Sequence, residues 1–171
     1  MRNLMKFAAV LLFVGVTASA NAQTPKFGHI DLQALIQIMP ERAAAETKFN
    51  TFQSDLEDIF GEMQKDLQTK MTDFEALGDS ASEIKKNAKI AEIQDMQQRI
   101  QNYQQTAQTQ LQQKQTEVLK PVFDKAEVAI GEVAKEKGLL YVFDIGTKVV
   151  LYKSNESMDL LPLVKTKLGI K

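Results

Sequence analysis

Residues 49–77 read FNTFQSDLEDIFGEMQKDLQTKMTDFEAL, and the spacing of their apolar members decides the fold. Phe49, Phe52, Leu56, Ile59, Met63, Leu67, Met71, Phe74 and Leu77 follow one another at steps of three or four. A single stripe on an α-helix has that spacing, because about 3.6 residues complete a turn. Phe52 to Met63 and Met63 to Phe74 each span eleven residues. An eleven-residue repeat matches the straight helix more closely than a heptad does, so the seam need not wind left-handed. Gly61 sits inside the run at a cost of about 1 kcal/mol relative to Ala.

Downstream, Gly78-Asp79-Ser80-Ala81-Ser82 clusters turn residues, and Ser82 stands where a helix cap would. Helical spacing then resumes through Ile93, Met96, Ile100, Tyr103, Ala107, Leu111, Val118 and Val122. Residues 97–115 within it hold ten glutamines, so the stripe is thin and its flanks are polar but nearly uncharged. Two long helices joined by a short turn fold back on each other. Residues 42–77 and 82–120 give lengths of about 54 and about 58 Å at the helical rise, as an antiparallel pair requires. Residues 41–79 carry a net charge of −6 and residues 80–120 a net +2, which favours the pairing. Exposed ion pairs contribute only tenths of a kcal/mol each, so apolar contact carries most of it.

Beyond Lys120 the composition changes. Pro121 removes the helical bond to the carbonyl of Glu117, and a thicker apolar face follows in Val122, Phe123, Ala126, Ile130 and Val133. Pro121 thus marks a border between a solvated arm and a packed body, and it is the expected hinge. Gly138 suits a helix C-cap. LLYVFDI (139–145) and KVVLYK (148–153), parted by Gly146-Thr147, predict a β-hairpin. A short helix near Pro162 closes the chain. Upstream, KFGHID (26–31) predicts a short strand, LQALIQIM (32–39) a short helix, and Pro40 opens the long one.

The chain of 171 residues has no Cys, no Trp and one His, which excludes disulfides, thiol chemistry and any site needing two histidines. The lone His29 lies in the expected strand and reads as structural. No phosphate-binding loop, dinucleotide fingerprint or zinc-protease motif is present. No cofactor or metal is expected, and the chain does not read as an enzyme. Its formal charge of −1 gives no reason to expect nucleic acid. Arg2, Lys6, the apolar run 7–18 and Ala20-Asn21-Ala22 form a secretory signal peptide with its cleavage site. Its removal takes two basic residues and no acidic one, leaving a net charge of −3 from Gln23 onward.

Three segments resemble one family. KFGHIDLQALIQIMPE resembles the strand–helix opening of the Skp/OmpH-like periplasmic chaperones. LKPVFDKAEVAIGEVAKEKGLLYVFD resembles their return helix and second strand, and KVVLYKSNESMDLLPLVKTKLG their last strand and terminal helix. The resemblance implies an α+β fold in which a small β-rich trimerisation body carries a long antiparallel helical hairpin. Residues 1–22 would be the signal peptide, 23–40 and 121–171 the body, and 41–120 the arm. It further implies a homotrimer whose arms surround a cavity and hold unfolded outer-membrane β-barrel proteins in the periplasm without ATP. Phe27, Ile30, Val142, Phe143, Val149 and Leu151 are the expected oligomerisation residues. Familiar members are basic, whereas residues 41–120 here have ten basic and fourteen acidic residues. A basic cluster stands only near the turn, at Lys85, Lys86 and Lys89, so lipopolysaccharide and anionic-membrane sites are not carried over.

The glutamine face suits water or a wet cavity, offering hydrogen bonds without selecting by charge. The first helix has more apolar bulk than one seam needs. Phe49, Phe60, Met63, Met71 and Phe74 are therefore the expected client-binding residues, Met being adaptable and Phe large. Weak contacts repeated over several arms would hold a chain by effective concentration. A coiled-coil spacer or an envelope adaptor is the alternative.

Overall fold

The computed structural model describes residues 26–170, so the expected signal peptide and cleavage site lie outside the described residues. Strand β1 (Phe27–Ile30) leads through Asp31 into helix α1 (Leu32–Ile38). The Asp31 carboxylate accepts from the Ala34 amide at 2.8 Å, and the Asp144 carboxylate accepts from the Leu32 amide at 3.2 Å. Two carboxylates thus satisfy amides that the short helix leaves free. Pro40 stands at the first turn of helix α2 (Pro40–Glu75), where its missing N–H costs nothing. Helix α3 (Glu83–Glu136) returns antiparallel to α2 and runs unbroken through Pro121. Ser82 is its N-cap residue, but the hydroxyl makes no capping bond. Gly138, at φ +63°, ends it in the left-handed conformation expected of a glycine cap.

Strand β2 (Tyr141–Asp144) pairs with β1 in parallel, and strand β3 (Met158–Asp159) pairs with the other edge of β1, also in parallel. The order is β2-β1-β3. The hairpin expected over 139–145 and 148–153 does not form. A two-residue hairpin with Gly146 at its first central position needs positive φ there, and Gly146 is not among the positive-φ glycines. Its amide is held by the Asp144 carboxylate at 2.9 Å. A β-carbon on Gly146 would lie 2.8 Å from Asp31 Oδ1, so close approach, not a hairpin turn, explains the glycine. After β2 the chain turns at Lys148, with φ +58°, and residues 149–153 run on without joining the sheet. Helix α4 (Leu161–Lys167) closes the fold with Pro162 in its first turn.

Val122, Ala126, Ala129 and Val133 recur at steps of four and three along α3 and form the floor of the core. Leu35, Ile36 and Met39 of α1 and Leu160 and Val164 near α4 pack on it. The arm is thinner. Beyond Ala45 on α2 and before Val122 on α3, Leu56 and Met96 alone are buried among the described residues, and most of the remaining stripe is half-buried.

Candidate functional site

Because one stripe per helix closes the arm, its flanks remain open. On one flank, Arg42, Glu46, Phe49 and Asn50 of α2 face Gln115, Val118 and Leu119 of α3 around a cavity of about 260 Å³. Further out, Gln53, Leu56, Glu57 and Phe60 face Gln104, Ala107, Gln108 and Leu111 around about 330 Å³. Ala107, between Tyr103 and Leu111 on the stripe, is too small to fill the space before Phe60. On the opposite flank, Ile59, Met63, Arg99, Asn102 and Thr106 border about 430 Å³. Tyr103 lines both outer spaces and spans the arm between them. Its hydroxyl donates to the Leu56 carbonyl at 3.0 Å, and burial pushes its pKa above the ordinary value.

Charge is distributed unevenly along the arm. Near the turn, Lys70 pairs with Glu92 at 3.3 Å and Lys89 with Asp73 at 3.5 Å, each across the two helices. The hydrogen bond from Lys70 and the charge of Lys89 hold the Glu92 carboxyl below its usual range. Glu92, foremost, raises Lys89 in turn. Lys86 also pairs with Glu83 at 3.5 Å, so two of the three lysines of the basic cluster are engaged locally. At the root, Glu41 pairs with Lys125. Between root and turn, Glu46, Asp55, Glu57, Asp58, Glu62 and Asp66 form no ion pair among the described residues. The opposite net charges of the two helices are therefore matched only at the ends.

The five expected client-binding residues fall in different places. Phe49 and Phe60 line the first flank and Met63 the second. Met71 is 39% exposed nearer the turn, and Phe74 is half-buried in the seam. Ile59, read from spacing as part of the seam, is 45% exposed beside Met63. Spacing alone gives a stripe's direction but not its width, so this residue was not legible as a flank residue.

The sheet presents two unlike faces. Ile30 and Val142 point toward the helices and join the chain's own core, which uses their apolar surface internally. Phe27, Tyr141 and Phe143 stand on the other face with ring centroids 6.1–6.3 Å apart, and all three are exposed. His29 is buried, and its Nδ1 lies 2.9 Å from the Ser157 hydroxyl, tying the segment before β3 to the sheet. Val149, Leu151 and Tyr152 are among the most exposed apolar side chains described. Tyr141 and Tyr152, also exposed, were not singled out in the sequence, although Val142, Phe143, Val149 and Leu151 were taken from the same two runs.

Among the described residues no group of three or more His, Asp or Glu is arranged to hold a metal ion. No described helix is long and apolar enough to cross a membrane.

A family model described as outer membrane protein (OmpH-like) matches residues 26–168. No curated protein matches the sequence. Among solved structures, the chain is similar to a Caulobacter crescentus CB15 protein described as a candidate outer membrane chaperone (OmpH-like). The TM-score is 0.70 at 14% identity, and the match covers 86% of each chain.

Proposed function

Since the chain belongs to the OmpH-like family, we propose that it is a periplasmic holdase: an ATP-independent chaperone that keeps unfolded outer-membrane β-barrel proteins from aggregating. The observation that carries this reading is the arm itself. Its helices span about 54 Å in α2 alone at the helical rise, yet they bury only a thin seam. Phe49, Phe60, Ile59, Met63 and Met71 stay partly accessible along its flanks and outer length. An arm built only as a spacer gains nothing from aromatic and thioether groups left in water. Binding without catalysis fits the residues at hand.

Three copies joined through the open sheet face would place three arms around one cavity. An all-parallel sheet is normally covered on both faces, and here Phe27, Tyr141 and Phe143 are left exposed on one face within one chain, where His29 alone is covered. Phe27, Phe143, Val149 and Leu151 are the residues that assembly would cover. Each arm then contributes weak contacts, and effective concentration makes them sufficient together. Anionic membrane is not included as a target, because the lysines near the turn are largely paired and the rest of the arm is acidic.

The reading is tested by diluting a urea-denatured outer-membrane barrel protein into nucleotide-free buffer with increasing amounts of the chain from Gln23, and following light scattering. Suppression that saturates near three chains per client is the expected result. Unchanged scattering at every ratio would overturn the holdase reading and favour a spacer or adaptor.

A further inference from the structure

We propose that the first flank of the arm, between Arg42 and Phe60, is a docking groove for one extended strand-length segment of an unfolded polypeptide, with a preference for segments whose charged residues are basic. The inference rests on the holdase reading and adds where, and by what chemistry, a client segment seats.

The two cavities on this flank are consecutive. Their α2 walls run from Arg42 to Phe60 and their α3 walls from Leu119 back to Gln104. The distance from Arg42 to Phe60 is about 27 Å at the helical rise. About eight residues of extended chain cover that length, close to the roughly nine to eleven of one membrane-spanning β-strand. The floor is apolar and the walls are not. An extended segment turns alternate side chains to opposite sides, so one set meets the floor.

The walls suit its backbone. Asn50, Gln53, Gln104, Gln108 and Gln115 each carry a carboxamide, which both donates and accepts. An unfolded strand has unpaired N–H and C=O groups along its length, and burying them unpaired is costly. The charge is net negative. The lining residues of the α3 wall are uncharged, and on the α2 wall Glu46 and Glu57 outnumber Arg42, none of the three forming an ion pair among the described residues. Glu57 only accepts from the Gln53 carboxamide at 2.9 Å. A lysine or arginine on the segment complements those carboxylates, and an aspartate or glutamate is repelled by them.

The probe is a fluorescent nine-residue peptide of alternating Leu and Thr with a Lys at each end, and its counterpart with Glu at each end. A photo-crosslinking residue is placed at Gln108, on the groove wall, or at Gln105, which lines neither cavity. The Lys peptide is expected to cross-link at position 108 several times more than at 105. It should bind roughly fivefold more tightly than the Glu peptide at low salt, the size of one or two exposed ion pairs. Gln104→Trp, which fills the groove from its wall without touching the seam, should abolish the difference between positions. Equal cross-linking at both positions, or indifference to Gln104→Trp, would overturn the groove while leaving the scattering test of the holdase to stand by itself. Equal affinity for the two peptides would overturn the charge preference.

Discussion

The hydroxyl of Tyr103 on α3 donates to the backbone carbonyl of Leu56 on α2 at 3.0 Å, across the middle of the arm. The carbonyl oxygen has a second lone pair beyond its helical bond, so the contact ties the helices without breaking either. Tyr103→Phe should cost about 1 kcal/mol, the net worth of one hydrogen bond. Tyr103→Ala should cost about 2–3 kcal/mol, because the ring also separates the two flanking cavities. Urea unfolding of both variants checks the order; no loss in Tyr103→Phe would mean the hydrogen bond contributes nothing, and equal losses would mean the ring adds nothing to it.

Two glycines should respond oppositely to alanine. A β-carbon on Gly61 meets nothing within 4 Å, so Gly61→Ala should stabilise the arm by about 1 kcal/mol through helix propensity alone. A β-carbon on Gly28 would lie 2.4 Å from Leu160 Cδ1 and 2.7 Å from Leu139 Cδ1. Gly28→Ala should therefore destabilise by about 1–3 kcal/mol through overpacking under β1. Thermal melts of the two variants provide the comparison.

The Glu41–Lys125 pair holds α2 against α3 at the root of the arm. The hydrogen bond from Lys125, foremost, keeps the Glu41 carboxyl below its ordinary value of 4.5. A depressed folded-state pKa adds stability above the unfolded value and loses it as pH falls through the folded one. Glu41→Gln should thus cost under about 1 kcal/mol at neutral pH, as a partly exposed pair does. The difference from the parent should vanish once both states of Glu41 are protonated. Urea titrations at neutral and strongly acidic pH test the sign.

Leu151 is 96% exposed within one chain, so Leu151→Glu should leave the fold of the single chain intact. If the open sheet face and the segment after β2 join copies, the same substitution should lower the mass measured by sedimentation equilibrium. An unchanged mass, with unchanged circular dichroism, would place the association elsewhere.

Pro121 lies where the buried face of α3 begins, with Pro121 exposed and Val122 buried. The missing hydrogen bond lets α3 bend there at less cost than elsewhere. Pro121→Ala should narrow the arm-to-arm distance distribution measured between spin labels near the turn. An unchanged distribution, with and without client, would remove the hinge.

The long helices were legible because a stripe repeated over many turns is a strong signal, and Gly78 and Gly138 mark their ends with positive φ. The body was harder. A run such as Val149-Val150-Leu151 announces β-propensity but not its partner, and β2 finds its partner in β1, more than a hundred residues away. β3 is two residues long and follows a serine-rich stretch, so nothing local announces it. The capping role of Asp144 on α1 is equally non-local, since the carboxylate reaches Leu32 only after the whole arm has returned. At the arm, the sequence located the apolar surplus but not which flank each residue lines, because that depends on how closely the two helices approach.

Sedimentation velocity of a labelled, denatured barrel protein mixed with the chain from Gln23, without nucleotide, tests the central claim most directly. The expected result is one soluble species containing one client and three chains, in which the client has no protease-resistant core. A client that sediments only as aggregate, or that is bound only after it has folded, would contradict it.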